Sequence, residues 1–221
     1  MSFITGRFKA YIFDMDGVLT DTVHYHYLSW KQLAEEENIP FTKKDNQNLL
    51  GLSREDSLQL FLGGRQISET ERKSLLERKN RYFLDLITNF SEKDLIPGVY
   101  ELILKLKKLK YKLAVASSSK NANPILEKLG IKSFFEFITD GSEVSQAKPA
   151  PDLFLLTAAK LNENPEDCIV IEDSAAGIEA ALAAKMHVVG IGPAELVGKA
   201  HFRFSTMKEF NLETLWDIEP N

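Results

Sequence analysis

Asp14 and Asp16 stand two residues apart, directly after the apolar run Tyr11-Ile12-Phe13 and just before Gly17. A short apolar run that ends in acids and a glycine reads as a buried strand and its turn. Three further groups follow runs of the same kind: Ser117-Ser118-Ser119-Lys120-Asn121, Lys148-Pro149, and Glu172-Asp173-Ser174. Each has a plainer explanation when taken alone. Paired aspartates make turns, serines cap helices, Lys148-Pro149 suits a surface loop, and acids favour the start of a helix.

Gathered in one crevice, the same groups have a specific chemistry. Carboxylates held together repel and have raised pKa values unless a cation neutralises them. Oxygen ligands from few protein groups, with room left for water and phosphate, suit Mg²⁺. A lysine and a serine hydroxyl opposite them suit the oxygens of a phosphoryl group. One carboxylate can then act as nucleophile and form an acyl phosphate. Its neighbour two residues on can serve as general acid and base for the reacting hydroxyl.

The elements that must bring these groups together are legible as alternating strands and helices. Expected strands are Tyr11–Phe13, Leu113–Ala116, Phe134–Ile138, Cys168–Ile171 and Val188–Ile191. Expected helices between them open at Pro97-Gly98, span Pro124 to Leu129, run from Pro151 to Leu161, and cover Ala175 to Lys185. This order implies an α/β fold with a doubly wound parallel sheet and a Rossmann-like core. In such a sheet, ligands bind outside the carboxyl ends of the strands, which is where all four groups fall. Residues 22–92 break the pattern. Val23, Tyr27, Trp30, Leu33 and Ala34 have helical spacing and no strand is evident. This stretch is expected to be an inserted α-helical cap over the sheet edge, with residues 1–21 and 93–221 forming the core.

Composition bounds the rest. With 221 residues, 44% hydrophobic and 27% charged, the chain can bury a sizeable core. A formal net charge of −5 argues against general affinity for nucleic acid or anionic membrane. The five lysines from Lys105 to Lys112 read as a solvated helix face, because Val99, Leu102, Ile103, Leu106 and Leu109 keep helical spacing beneath them. The single Cys168 precludes an intrachain disulfide and reads as a small buried residue in a reducing compartment. No apolar stretch is long enough for a transmembrane helix. Arg7 and Lys9 lead straight into a strand without a signal-peptide pattern, so a cytoplasmic monomer is the expectation.

These motifs, Asp14-Met15-Asp16-Gly17-Val18-Leu19-Thr20, Ser117, Lys148 and Glu172-Asp173, resemble those of the haloacid-dehalogenase superfamily of aspartyl phosphotransferases over essentially the whole chain. The helical insertion after the first motif is similar to its subclass with a small helical cap. Gly51-Leu52-Ser53-Arg54-Glu55-Asp56-Ser57-Leu58, with Ser119-Lys120-Asn121, is similar to the β-phosphoglucomutase-like members. The resemblance implies Asp14 as nucleophile and metal ligand. It implies Asp16 as acid/base, with its main-chain carbonyl on the metal, and Glu172 and Asp173 completing a Mg²⁺ site. Ser117, the Ser118 amide and Lys148 would hold the transferring phosphoryl group, with Lys148-Pro149 cis. Arg54, Ser119, Lys120 and Asn121 would grip a second phosphate, and His26, Trp30, Gly51, Leu52, Ser53 and Lys79 would line the sugar side. Leu50 departs from the pattern, which expects a lysine before Gly51.

The implied activity interconverts β-glucose 1-phosphate and glucose 6-phosphate through an aspartyl phosphate and glucose 1,6-bisphosphate. A sugar-phosphate phosphatase of the same superfamily is the alternative. A receiver-type signalling module would place its phosphorylated aspartate after the third strand and carry no cap.

Overall fold

In the computed structural model, which describes residues 8–215, β1 (Ala10–Phe13) is buried on both sides. Tyr11 and Phe13 point into one hydrophobic cluster and Ala10 and Ile12 into another. The same alternation runs through β2 (Lys112–Ser117) and β4 (Cys168–Glu172), which flank β1 in parallel. Strands covered on both faces need no polar side, and this is why they read as continuous apolar runs. Arg7 and the outer ends of the expected core, residues 1–7 and 216–221, lie outside the described residues.

The remaining strands are β3 (Phe137–Asp140), β5 (His187–Ile191) and β6 (Phe202–Phe204), giving a wholly parallel sheet in the order β3-β2-β1-β4-β5-β6. Helices α5 (Val99–Lys108) and α6 (Ala122–Lys128) pack on the aromatic-rich face through Ile103, Leu106 and Ile125. Helices α7 (Asp152–Leu161), α8 (Ala175–Ala183) and α9 (Ala194–Val197) cover the other face, where β1 and β2 present alanines. The Phe154 ring fills that side; truncating it to Ala is expected to cost about 3–5 kcal/mol.

Three expectations shift. The third strand starts at Phe137, after a 3₁₀ turn at Lys132–Phe134, because Ala114 to Ser117 of β2 pair with Phe137 to Asp140. Of the five lysines only Lys105, Lys107 and Lys108 are on α5; Lys110 lies past its end at φ +63°, and Lys112 opens β2, its Nζ 2.7 Å from Glu163. The sequence predicts no strand at β6, since three edge residues with no buried side chain carry no periodic signal.

Between β1 and α5 lie α1 (Val23–Glu37), α2 (Lys43–Gln47), α3 (Arg54–Phe61) and α4 (Glu69–Leu86). They have their own apolar cluster around Trp30, Leu33, Leu58, Phe61 and Leu75. The two strands of chain that join them to the sheet run side by side. Thr20 bridges Leu95, Ile96 N donates to Leu19 O at 3.0 Å, and Thr20 Oγ1 donates to Asp94 O at 2.7 Å. No helix among the described residues is long and apolar enough to cross a membrane.

Candidate active site

The parallel register sets the carboxyl ends of β1, β2 and β4 level, with Phe13 opposite both Val115 and Ile171. Asp14 follows β1 and donates its main-chain N–H to Ile171 O at 2.9 Å. Ser117 ends β2 and Glu172 ends β4. The loop beyond β3 brings Lys148, through a cis bond to Pro149, to the same place. Its Nζ lies 2.5 Å from Asp14 Oδ1, 2.8 Å from Glu172 Oε1 and 3.3 Å from Ala116 O, above the Phe154 ring.

This cluster is almost fully enclosed. Burial pushes the Asp14 carboxyl well above the ordinary range, and Glu172 and Asp16 push it further, while Lys148 opposes the shift. Burial alone would lower Lys148, but Asp14 and Glu172 outweigh it and hold the ammonium charged. Asp16 behaves oppositely to Asp14. Burial would raise it, yet His26, the Thr22 hydroxyl and Lys79 together bring it below the usual value. Thr22 Oγ1 donates to Asp16 Oδ1, and His26 Nε2 lies 3.5 Å from the same oxygen. Ser117 Oγ is 3.5 Å from Asp16 Oδ2, long for a hydroxyl bond, and accepts from Ser119 N at 3.1 Å.

Glu172 and Asp173 are neighbours with different surroundings. Glu172 is wholly buried, with Oε1 on Lys148 and Oε2 accepting from Ser174 N at 2.7 Å and Ser174 Oγ at 2.9 Å. Gly177 leaves room for it, since a Cβ there would stand 1.6 Å from Glu172 Oε1. Asp173 instead faces the cavity, seated against Gly17. No hydrogen bond or ion pair is made by its carboxylate among the described residues. Burial raises it well above its ordinary pKa, with Glu172 and Asp14 adding.

Residues of α1, α2, α3 and α4 stand over these strand ends. The partly open cavity there is lined by Asp14, Asp16, His26, Trp30, Leu50, Gly51, Leu52, Arg54, Lys79, Ser118, Ser119, Lys120 and Asp173. Arg54 enters the cavity, and its guanidinium is within ion-pair distance of no acid among the described residues. Lys79 is 3% exposed, 2.7 Å from His26 Nδ1 and over the Trp30 and Phe83 rings. Burial, with Arg54 adding and Asp16 opposing, brings it down to about 7.

Two expected cavity residues do other work. Ser53 caps α3, accepting from Asp56 N at 3.0 Å and donating to Asp56 Oδ2 at 2.5 Å. Asn121 is turned to Asn80, Nδ2 to Oδ1 2.9 Å. The sequence reading missed Val23, Asn46, Leu49 and Ser57, which also line the cavity. Ser57 lies three residues beyond Arg54 on α3, a helical spacing that could have revealed it. Asn46 sits on the five-residue α2, too short to show a period. Among the described residues no three His, Cys, Asp or Glu side chains form a preassembled metal cage.

Residues 8–185 match the family model described as haloacid dehalogenase-like hydrolase. The chain is 43% identical over 211 residues to "Beta-phosphoglucomutase" of Bacillus subtilis, covering 94% of this chain and 93% of that protein. It is 32% identical to "Phosphorylated carbohydrates phosphatase" of Thermotoga maritima, over 80% of this chain and 81% of the other. The crystal structure of beta-phosphoglucomutase from Clostridium difficile superposes with a TM-score of 0.91 at 39% identity, covering 94% and 95% of the two chains. On this sequence match, with the strand-end residues in place, the chain belongs to the haloacid dehalogenase-like hydrolase family.

Proposed function

We propose that this chain is a β-phosphoglucomutase, carrying a phosphoryl group between the 1- and 6-oxygens of glucose by way of Asp14. The observation that carries the reading is the convergence of two phosphate-binding sets on one cavity. Asp14, with Lys148 bonded to it, lines this cavity from the sheet side beside Ser118, and Arg54, without an ion-pair partner among the described residues, lines it from α3.

The donors present fit a magnesium ion. Asp173 is a half-buried carboxylate without a protein partner among the described residues, lining the same cavity as Asp14. Two carboxylates and the Asp16 main-chain carbonyl, with the remaining positions for water and phosphate, are the few-ligand arrangement Mg²⁺ favours. Glu172 would act by holding Lys148 and Ser174 rather than as a direct ligand. When bound, the ion would neutralise the carboxylates and the charge that builds on the transferring phosphoryl oxygens.

The residues would divide the work as follows. A phosphoryl group carried on Asp14 is held by Lys148, Ser117 and the Ser118 amide. The sugar 6-hydroxyl attacks phosphorus, the bond to Asp14 breaks, and the hydroxyl proton passes to Asp16. The resulting bisphosphate turns end for end, Asp14 attacks the 1-phosphate, and Asp16 returns its proton to the departing oxygen. Arg54, Ser119 and Lys120 hold the idle phosphate throughout, Arg54 in its planar bidentate mode. His26 and Lys79 keep Asp16 oriented, Trp30, Gly51 and Leu52 wall the sugar, and Leu50 makes that wall apolar where a cation is expected. Ser53 and Asn121 serve through their neighbours. The division into a cap of residues 22–92 and a core of 1–21 and 93–221 follows the same reading, as does a monomeric cytoplasmic enzyme.

The test supplies Mg²⁺, trace glucose 1,6-bisphosphate and either anomer of glucose 1-phosphate. Isomerisation of the β anomer alone, with little phosphate release, is expected; stoichiometric phosphate release would establish the phosphatase instead. Asp14→Asn should abolish acyl phosphate formation, and Asp16→Asn should cut turnover by about a hundredfold or more.

A further inference from the structure

Three residues of the loop after β2 are each tied to a different part of the cap. Ser118 Oγ donates to Gly51 O at 2.7 Å, Lys120 Nζ lies 2.7 Å from Glu55 Oε1 on α3, and Asn121 Nδ2 donates to Asn80 Oδ1 on α4. Glu55 and Asn80 do not line the cavity and touch no reacting atom. Each nevertheless directly follows a residue that does: Arg54 before Glu55, and Lys79 before Asn80. On both helices, then, one residue lines the cavity and the next bonds to the core loop.

We propose that Asn80 and Glu55 are positioning residues that seat the closed cap on the loop 118–121. Through that seating they decide whether the phosphoryl group of Asp14 passes to a sugar hydroxyl or to water. The proposal rests on the mutase reading. In either outcome the phosphorus–oxygen bond to Asp14 breaks, the attacking oxygen gives its proton to Asp16, and the Asp14 carboxylate is regenerated. Only the identity of the attacking oxygen differs, and that depends on how completely the cap excludes water.

The two contacts contribute differently. Asn80–Asn121 is a partly buried bond between neutral amides, insensitive to salt, and it fixes the lateral register of α4. Glu55–Lys120 is a half-exposed ion pair and is screened by salt. An ammonium has three donors, so Lys120 can keep Glu55 while donating to a phosphate. Closure and phosphate binding therefore share one lysine without excluding each other.

The experiment compares the full-length wild type, Asn80→Ala and Glu55→Gln with β-glucose 1-phosphate, Mg²⁺ and trace glucose 1,6-bisphosphate. Isomerisation and released phosphate are read from the same tube. Asp14 labelling by acetyl phosphate, a donor too small to need the cap, is measured alongside. Asn80→Ala should raise phosphate released per isomerisation about five- to tenfold, the worth of one hydrogen bond. Glu55→Gln should raise it about two- to fourfold at low salt and by nothing in half-molar salt. Acetyl phosphate labelling should stay within about twofold in both, since the Asp14 cluster is untouched.

An unchanged ratio in both variants would overturn the proposal. So would a fall in labelling parallel to the fall in isomerisation, which marks general damage to the fold. If the wild type only hydrolyses, the mutase reading fails by itself. Seating is then read from the KM for the sugar phosphate: a rise at constant kcat supports the two residues, and no change removes them.

Discussion

Lys148 Nζ lies 2.8 Å from Glu172 Oε1 with both side chains completely enclosed, so this lysine is the counter-ion of a buried acid. Asp14, 2.5 Å away on the other side, makes it one cation between two carboxylates. Removing one partner of such a cluster strands buried charge. Lys148→Ala should therefore lose about 3–5 kcal/mol in denaturant unfolding as well as activity. A stability within 1 kcal/mol of wild type would show that the cluster is neutralised in some other way.

Lys79 makes stability depend on pH with a defined sign. Burial holds it near 7 in the folded chain, whereas an unfolded lysine titrates at about 10.4. Between these values the unfolded state binds the extra proton, so stability rises with pH; below about 7 the folded state bears the full cost of a buried ammonium. Lys79→Met removes that cost. It should be more stable than wild type by on the order of 3 kcal/mol at pH 6.5, with the gap shrinking toward pH 10. Parallel stability curves would reject this assignment.

Gly51 is needed for two reasons. Its φ is +77°, and a Cβ there would stand 2.3 Å from Ser174 Oγ. That hydroxyl cannot easily yield, because it donates to Glu172 Oε2 and accepts from Gly177 N at 3.1 Å. Gly51→Ala should lift the cap loop and lower kcat/KM for the sugar phosphate by about a hundredfold, since small misplacements cost that much. Acetyl phosphate labelling of Asp14 should survive, which separates a seating defect from a chemical one.

Cys168 is buried and unpaired, and its thiol is pushed up to about 12, by burial first and then by Glu163 and Asp167. The thiolate is the reactive form. Iodoacetamide at pH 8 should leave the native protein unlabelled over hours and modify it fully after denaturation. Mass spectrometry reads both states.

The legible parts of the fold were those whose pattern is local. Four strands, β1, β2, β4 and β5, stand out as apolar runs because the sheet is covered there on both faces, and α5 stands out through Val99, Leu102, Ile103 and Leu106. The short pieces were not legible. β6 has only three residues, and β3 was read three residues early because Phe134 and Phe135 are apolar for packing, not for pairing. Ser53 and Asn121 carried the right residue types for phosphate contact, yet their side chains are engaged in a helix cap and with Asn80.

Residue type and order were enough to place Asp14, Asp16, Ser117, Glu172 and Asp173 at strand ends, because parallel strands of similar length end level, with Lys148 in the loop beyond β3. They could not separate Glu172 from Asp173. Successive residues at a strand end point in opposite directions, and which direction meets Lys148 and Ser174 and which meets the cavity depends on elements far along the chain. The same holds for Asp14 and Asp16, alike in sequence but opposite in proton affinity. One sits with a buried acid, and the other with His26 and Thr22 from the start of the cap. Carboxylate chemistry is set by what lies within a few ångströms, and only the closed tertiary structure brings those neighbours there.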